Sequence, residues 1–206
     1  MIPQPLANGF CFGEGPRWFE GLLWFSDMLG EAVHTADMRG SLTTLPLPGH
    51  RPSGLGFRPD GSLLIASTED RHVLRYDGET VVTIAELAEL APANLGDMVI
   101  DDAGRAYIGC QAFSGGVIVR LDPDDSAAVV AKDLDFPNGM VITEGGVVTD
   151  RIDMGERAAI ACTLGGPERR TLFLLSSTDA YPQRLVGTRL SRLDAVTVDT
   201  PGAGLP

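Results

Sequence analysis

Three oxygen-bearing side chains, Glu14, Asp97 and Asn138, stand in or beside a glycine element that the chain uses four times. The copies read Glu14-Gly15-Pro16, Pro52-Ser53-Gly54-Leu55-Gly56-Phe57, Gly96-Asp97-Met98-Val99-Ile100 and Pro137-Asn138-Gly139-Met140-Val141-Ile142. A carboxylate can take a proton from water, and carboxylate and carboxamide oxygens are hard donors for a cation. Taken singly, each residue also has an ordinary explanation. Glu14 before Gly-Pro reads as a solvated turn residue, Asn138 between Pro and Gly is a good turn former, and Asp97 can hydrogen-bond backbone in an inner strand. Repetition is what sets them apart.

Successive glycines of the element, Gly15, Gly54, Gly96 and Gly139, are 39, 42 and 43 residues apart. A period of about 40–45 residues with several short strands per unit is the mark of propeller blades, and it directs any chemistry to the middle of a ring. After the element, the second copy has the turn Arg58-Pro59-Asp60-Gly61 and then Ser62 to Ser67, His72 to Gly78 and Val81 to Ile84. The third matches it with Asp101-Asp102-Ala103-Gly104, Arg105 to Gly109, Gly116 to Asp122 and Ala128 to Ala131. The first is looser, with Leu22 to Ser26, Ala32 to Ala36 and Ser41 to Leu45. Four strand-length runs bounded by Gly, Pro and Asp make a small antiparallel sheet. The expected fold is an all-β propeller of four-stranded antiparallel blades. It forms a single domain over 1–206, with repeats at about 11–47, 51–87 and 94–134, a remnant at 136–153 and a last blade at 158–199. Ile84 to Leu90 suggests at most one turn of helix.

The chain has 206 residues, enough to bury a sizeable core, and 44% of them are hydrophobic. The 25 glycines and 14 prolines fit a turn-rich all-β protein. A net charge of -12 argues against nucleic-acid partners, whose binding draws on phosphate neutralisation. No basic stretch precedes an apolar run at the N-terminus, so no secretory leader is expected, and no run is long enough for a membrane span. Cys11, Cys110 and Cys162 are widely spaced and read as buried, reduced thiols of a cytoplasmic protein. Cys110 follows a glycine at a strand end, but no motif places a histidine to activate it. His34, His50 and His72 fall in outer strands or linkers and read as surface groups. Trp18, Trp24 and Phe25 read as blade packing.

Several motifs, in order, resemble the SMP-30/gluconolactonase family. They are Gly13-Glu14-Gly15-Pro16-Arg17-Trp18 with Leu23-Trp24-Phe25-Ser26-Asp27, Gly96 to Asp101 with Gly104-Arg105-Ala106-Tyr107, and Phe136-Pro137-Asn138-Gly139-Met140. The tail, Ala159 to Pro167 and Thr171 to Leu174, is similar to the family's last blade. The resemblance implies a six-bladed propeller with one divalent metal ion, Ca²⁺, Zn²⁺, Mn²⁺ or Mg²⁺. Carried over by motif, Glu14 and Asn138 are metal ligands. Asp97 is the candidate catalytic carboxylate, and Asn94 and Arg17 are candidate substrate contacts. The implied reaction is hydrolysis of a sugar lactone, a small-molecule substrate, with no nucleic-acid or membrane partner. The alternatives are a non-catalytic propeller that binds a metal or small ligand, and a related hydrolase of organophosphate or aryl esters.

Two departures from the family pattern stand out. Gly96 occupies a place where many members carry Asn, with Asn94 two residues away. In addition, blades four and five lack roughly 60 residues around Glu144-Gly145-Gly146, including any Pro-Asp-Gly element to supply a third ligand. Asp150 and Asp153 are nearby carboxylates but do not match that motif. An omitted segment, a true deletion and a degenerate paralogue each explain the gap.

Overall fold

The computed structural model describes residues 3–135, 137, 154–199 and 201. Among these residues sixteen strands form four antiparallel four-stranded sheets, the blades of the β-propeller class. The described helical content is one 3₁₀ turn, Pro182–Arg184. No described helix is long and apolar enough to cross a membrane. By internal packing the chain divides into two units, one with residues 3–48 and 154 onward, the other beginning at Gly49.

In the second unit, β6 (Pro52–Phe57), β7 (Leu63–Ser67), β8 (His72–Tyr76) and β9 (Val81–Glu86) pair in chain order. The next sheet repeats this with β10 (Leu95–Ile100), β11 (Ala106–Cys110), β12 (Gly116–Leu121) and β13 (Ala127–Leu134). The turns form as their residues dictate. The Gly61 N–H donates to Arg58 O at 2.9 Å and the Gly104 N–H to Asp101 O at 2.9 Å, closing equivalent hairpins. In the sheet β6 to β9 burial falls from the inner strands to the outer one. β7 is buried along its whole length, whereas β13 alternates between half-buried and exposed, as an edge strand facing water on one side should. Ile84 lies in β9, and beyond it the backbone makes only a tight turn, with the Leu90 and Ala91 N–H groups donating to Leu87 O.

The two sheets of this unit meet along β6 and β10. Leu64, Ala66 and Val73 pack there with Leu95, Met98 and Ile108. At Gly54 the approach is backbone to backbone. A Cβ on Gly54 would lie 2.5 Å from Gly96 O and 2.5 Å from Met98 N, inside any van der Waals contact, so only glycine fits.

The other unit holds β2 (Gly13–Phe19), β3 (Leu22–Asp27), β4 (Ala32–Ala36) and β5 (Leu42–Pro46), again paired in order. Its second sheet has the order β1-β16-β15-β14, from Gln4–Phe10, Ser191–Thr197, Thr171–Ser177 and Ala158–Gly165. The N-terminal strand therefore completes the sheet built by the end of the described chain, with Phe10 opposite Ser191. β14 packs on β2. Phe10, Leu23, Phe25, Phe173, Leu175 and Leu193 fill the core of this unit. The Trp18 ring stacks on Phe173 at 5.3 Å, in keeping with a packing role.

Gly54→Val is expected to lower the unfolding free energy by about 3 kcal/mol or more, because backbone cannot yield as a side chain can. Gly13→Ala, which would meet the terminal methyls of Leu175, is expected to lose only about 1 kcal/mol. Urea unfolding midpoints of the two variants check the contrast.

Candidate functional site

The repeated glycine element has a structural counterpart at the head of three inner strands, β2, β6 and β10. In β2 and β3, Glu14 faces Ser26 and Arg17 faces Trp24, so one extra residue is taken up between them. The same irregularity lies between Pro52 and Leu55 opposite Ser67 and Ile65, and between Leu95 and Met98 opposite Cys110 and Ile108. Each is a one-residue β-bulge, a device that re-aims a side chain at a sheet edge. In the first sheet it is carried by Gly15 at φ +51°, a conformation that favours glycine.

Glu14 sits immediately before its bulge, half-buried, and its Oε2 accepts the Gly15 N–H at 3.1 Å. Arg17 ends the same bulge, and its Nη1 donates to Pro16 O at 2.7 Å. In the other unit, Asp97 lies within the bulge of β10 and is half-buried. Asn94 precedes that strand, exposed, with its carbonyl accepting the Gln111 N–H at 2.8 Å. Glu14 and Arg17 thus share one strand head, and Asn94 and Asp97 share another. Asn138, Asp150 and Asp153 lie outside the described residues.

Gln111 is a residue that the sequence did not single out. A Cβ on Gly96 would collide with the Gln111 carboxamide, which fills the space a side chain at 96 would take. The amide missing from position 96 therefore has a counterpart reaching in from the residue that follows the neighbouring strand β11. The signal was pairing, since Leu95 faces Cys110 across the sheet.

Asp27, part of the Phe25-Ser26-Asp27 motif, has a structural task. Its side chain is almost fully buried, and Oδ1 accepts N–H groups from Phe12 at 2.8 Å, Cys11 at 3.1 Å and Gly30 at 3.2 Å. These bonds tie the segment entering β2 to the turn leaving β3. Burial pushes the Asp27 carboxyl up, but His34 and the Phe12 and Cys11 N–H groups outweigh it and hold the carboxyl below its ordinary range. A depression of about 470 Å³ opens beside it, lined by Asn8, Phe10, Cys11, Asp27, His34 and Arg189 among others.

His34 corrects the expectation of three surface histidines. Its side chain is only 13% exposed and lies 3.8 Å from Asp27 through Nε2, against the Phe10 and Phe25 rings. His50 and His72 are half-buried and face a common partner, Asp70, in the second unit. The cysteines also differ from one another. Cys110 is fully buried, donates to Ala93 O at 3.2 Å and accepts the Ala93 N–H at 3.1 Å, a structural thiol. Cys11 is half-buried and Cys162 exposed, so the expectation of burial fails for both.

Residues 12–146 match the model of the SMP-30/Gluconolactonase/LRE-like region. The chain belongs to that family. The 6-deoxy-6-sulfogluconolactonase of Pseudomonas putida is 30% identical over 151 residues, which cover 69% of this chain and 50% of that protein. The pentonolactonase of Haloferax volcanii is 26% identical over 184 residues, 86% of this chain and 52% of that protein. The chain therefore spans about half the length of these curated relatives. Among solved structures, a structural-genomics target carrying a gluconolactonase assignment superposes with a TM-score of 0.69 at 16% identity. That superposition covers 98% of this chain and 94% of the other. It places this member of the SMP-30/gluconolactonase family in the same fold.

Asp27→Asn is expected to lower stability by about 1–3 kcal/mol, through acceptor capacity lost from a buried site. A carboxyl whose pKa is lowered on folding stabilises the fold above its unfolded value of about 3.9, and that contribution fades as pH falls through the lower folded value. Urea midpoints between pH 7 and pH 2 should therefore drop on the acid side more steeply in the parent than in Asp27→Asn.

Proposed function

We propose that this protein is a metal-dependent hydrolase that opens a sugar lactone. The observation that carries the reading is the family match over residues 12–146, whose Glu14 stands half-buried at a bulged strand head. Two relatives bear the names of sugar lactonases, and each acts on a sugar-derived cyclic ester by that name.

Glu14 and Asn138 are the metal ligands in this proposal. The donor set fits: a carboxylate held in place by the Gly15 N–H, with a carboxamide oxygen, is a hard oxygen pair suited to Ca²⁺, Mg²⁺, Mn²⁺ or Zn²⁺. The ion, when bound, would polarise the lactone carbonyl and offset the negative charge that builds on its oxygen. Asp97 takes the proton from the attacking water. The ring C–O bond then breaks, and the ring oxygen leaves as a hydroxyl once protonated, which gives the open hydroxy acid. Arg17 and Asn94 supply N–H donors for the hydroxyls of the sugar. The same reading places the enzyme in the cytoplasm as a single propeller domain.

The test is gluconolactone hydrolysis by the metal-stripped chain, resupplied with Ca²⁺, Mn²⁺ or Zn²⁺. Metal should restore activity, and Glu14→Gln should lower kcat/KM by at least about 100-fold. Asp97→Asn should lower kcat with little change in KM, as loss of a proton acceptor requires. Tight metal binding by folded protein without any hydrolysis would overturn the enzyme reading in favour of a binding module.

A further inference from the structure

We propose that His50, Asp70 and His72 form a second cation site, one that binds a divalent transition-metal ion of the zinc class. His50 lies two residues before β6, Asp70 in the turn between β7 and β8, and His72 opens β8. The strand pairing that sets Pro52 opposite Ser67, and Ser67 opposite His72, gathers all three at one end of the sheet. The Thr68 N–H and hydroxyl both donate to Arg51 O, at 2.8 and 2.6 Å, and fasten the His50 segment to the turn that carries Asp70.

The donor atoms converge. His50 Nδ1 is 2.8 Å from Asp70 Oδ2, and His72 Nδ1 is 3.3 Å from the same oxygen. One donor atom from each residue can be chosen so that all three lie within 4.8 Å of one another. Neighbouring donors around a tetrahedral zinc ion, with bonds of 2.0–2.2 Å, are about 3.4 Å apart. Changes in donor spacing of a few tenths of an ångström, and of at most about 1.4 Å, would thus seat an ion. His72 Nδ1 is buried and makes no hydrogen bond, although Asp70 stands beside it. An ion between them would give this nitrogen a partner. Each side chain is about 29% exposed, so water can reach the site and complete the coordination. Two imidazoles and one carboxylate are a donor set for Zn²⁺, Co²⁺, Ni²⁺ or Cu²⁺ rather than for Ca²⁺ or Mg²⁺. This chemistry is distinct from the all-oxygen set of Glu14 and Asn138, and it stands whether or not the lactonase reading does.

Ligands drawn from the entry to β6 and from the β7–β8 turn give the ion a structural consequence. Bound metal pins two segments that the backbone otherwise joins through Arg51 and Thr68, and any ion that binds the folded chain alone stabilises it.

The experiment is titration of the untagged, metal-free chain with Zn²⁺, followed through its histidine ring signals by ¹⁵N NMR. The chain has 3 histidines, so His34 serves as an internal control. One equivalent of Zn²⁺ should shift the His50 and His72 signals and leave His34 in place, and excess Ca²⁺ should not reverse the shifts. His72→Ala should weaken Zn²⁺ binding at this site at least about 100-fold. Zn²⁺ should also raise the Tm of the parent by about 4 °C, a rise that His72→Ala should abolish. Glu14→Gln should leave the histidine shifts unchanged, which separates failure of this site from failure of the lactonase reading. Zn²⁺ binding that leaves the His50 and His72 signals unmoved in the folded parent, or no binding at all, would overturn the proposal.

Discussion

The backbone of β6 runs so close to that of β10 that a single methyl group at Gly54 has nowhere to go. That contact is a constraint on both strands at once. It requires glycine at the head of the inner strand, and it coincides with the bulge by which the strand takes up one extra residue. The element recurs at Gly15 and Gly96, each at a bulge of its own inner strand, but there the glycine answers other demands, a φ of +51° at Gly15 and the Gln111 side chain at Gly96. A pitch of about forty residues in the sequence is the length of one four-stranded sheet returning to this crowded point. Chemistry follows from the sterics. The bulged strand heads carry the polar residues of the element, Glu14 in β2 and Asp97 in β10.

Outward from these heads the demands relax. Inner strands such as β7 are buried throughout, while β13 needs only one apolar face. In successive sheets one backbone bond fastens the segment entering the first strand to the turn after the second, Met28 N–H to Phe12 O and Thr68 N–H to Arg51 O, and different side chains reinforce it. In the first, the buried Asp27 carboxylate gathers the N–H groups of Cys11, Phe12 and Gly30. In the second, Thr68 bonds Arg51 O, which leaves His50, Asp70 and His72 free of that duty and clustered beside it. The same corner of the blade serves as a brace in one copy and offers a ligand set in the other.

Much of this was legible in the sequence. The strands at 22–27, 32–36, 63–67 and 116–121 follow from turn residues that punctuate short β-branched and apolar runs, a purely local signal. Pairing over long distances was not legible. Nothing in residues 4–10 announces that they complete a sheet begun after residue 157, because the partner of Phe10 is Ser191. The histidine cluster was hidden for the same reason, since His50 and Asp70 are twenty residues apart and meet only through strand register. Gln111 was missed because position 96 offered the obvious place for an amide, whereas its occupant arrives from the residue that follows the adjacent strand. For Asn138 the sequence reading alone speaks, since it lies outside the described residues.

The functional reading rests on Glu14 as a metal ligand at its strand head. Crystals soaked in dilute Mn²⁺ and measured at the manganese absorption edge would test it most directly, because anomalous density locates the ion without reference to activity. The predicted result is a peak within about 2.3 Å of a Glu14 carboxylate oxygen, lost in Glu14→Gln crystals. An ordered Glu14 with no peak beside it would contradict the assignment.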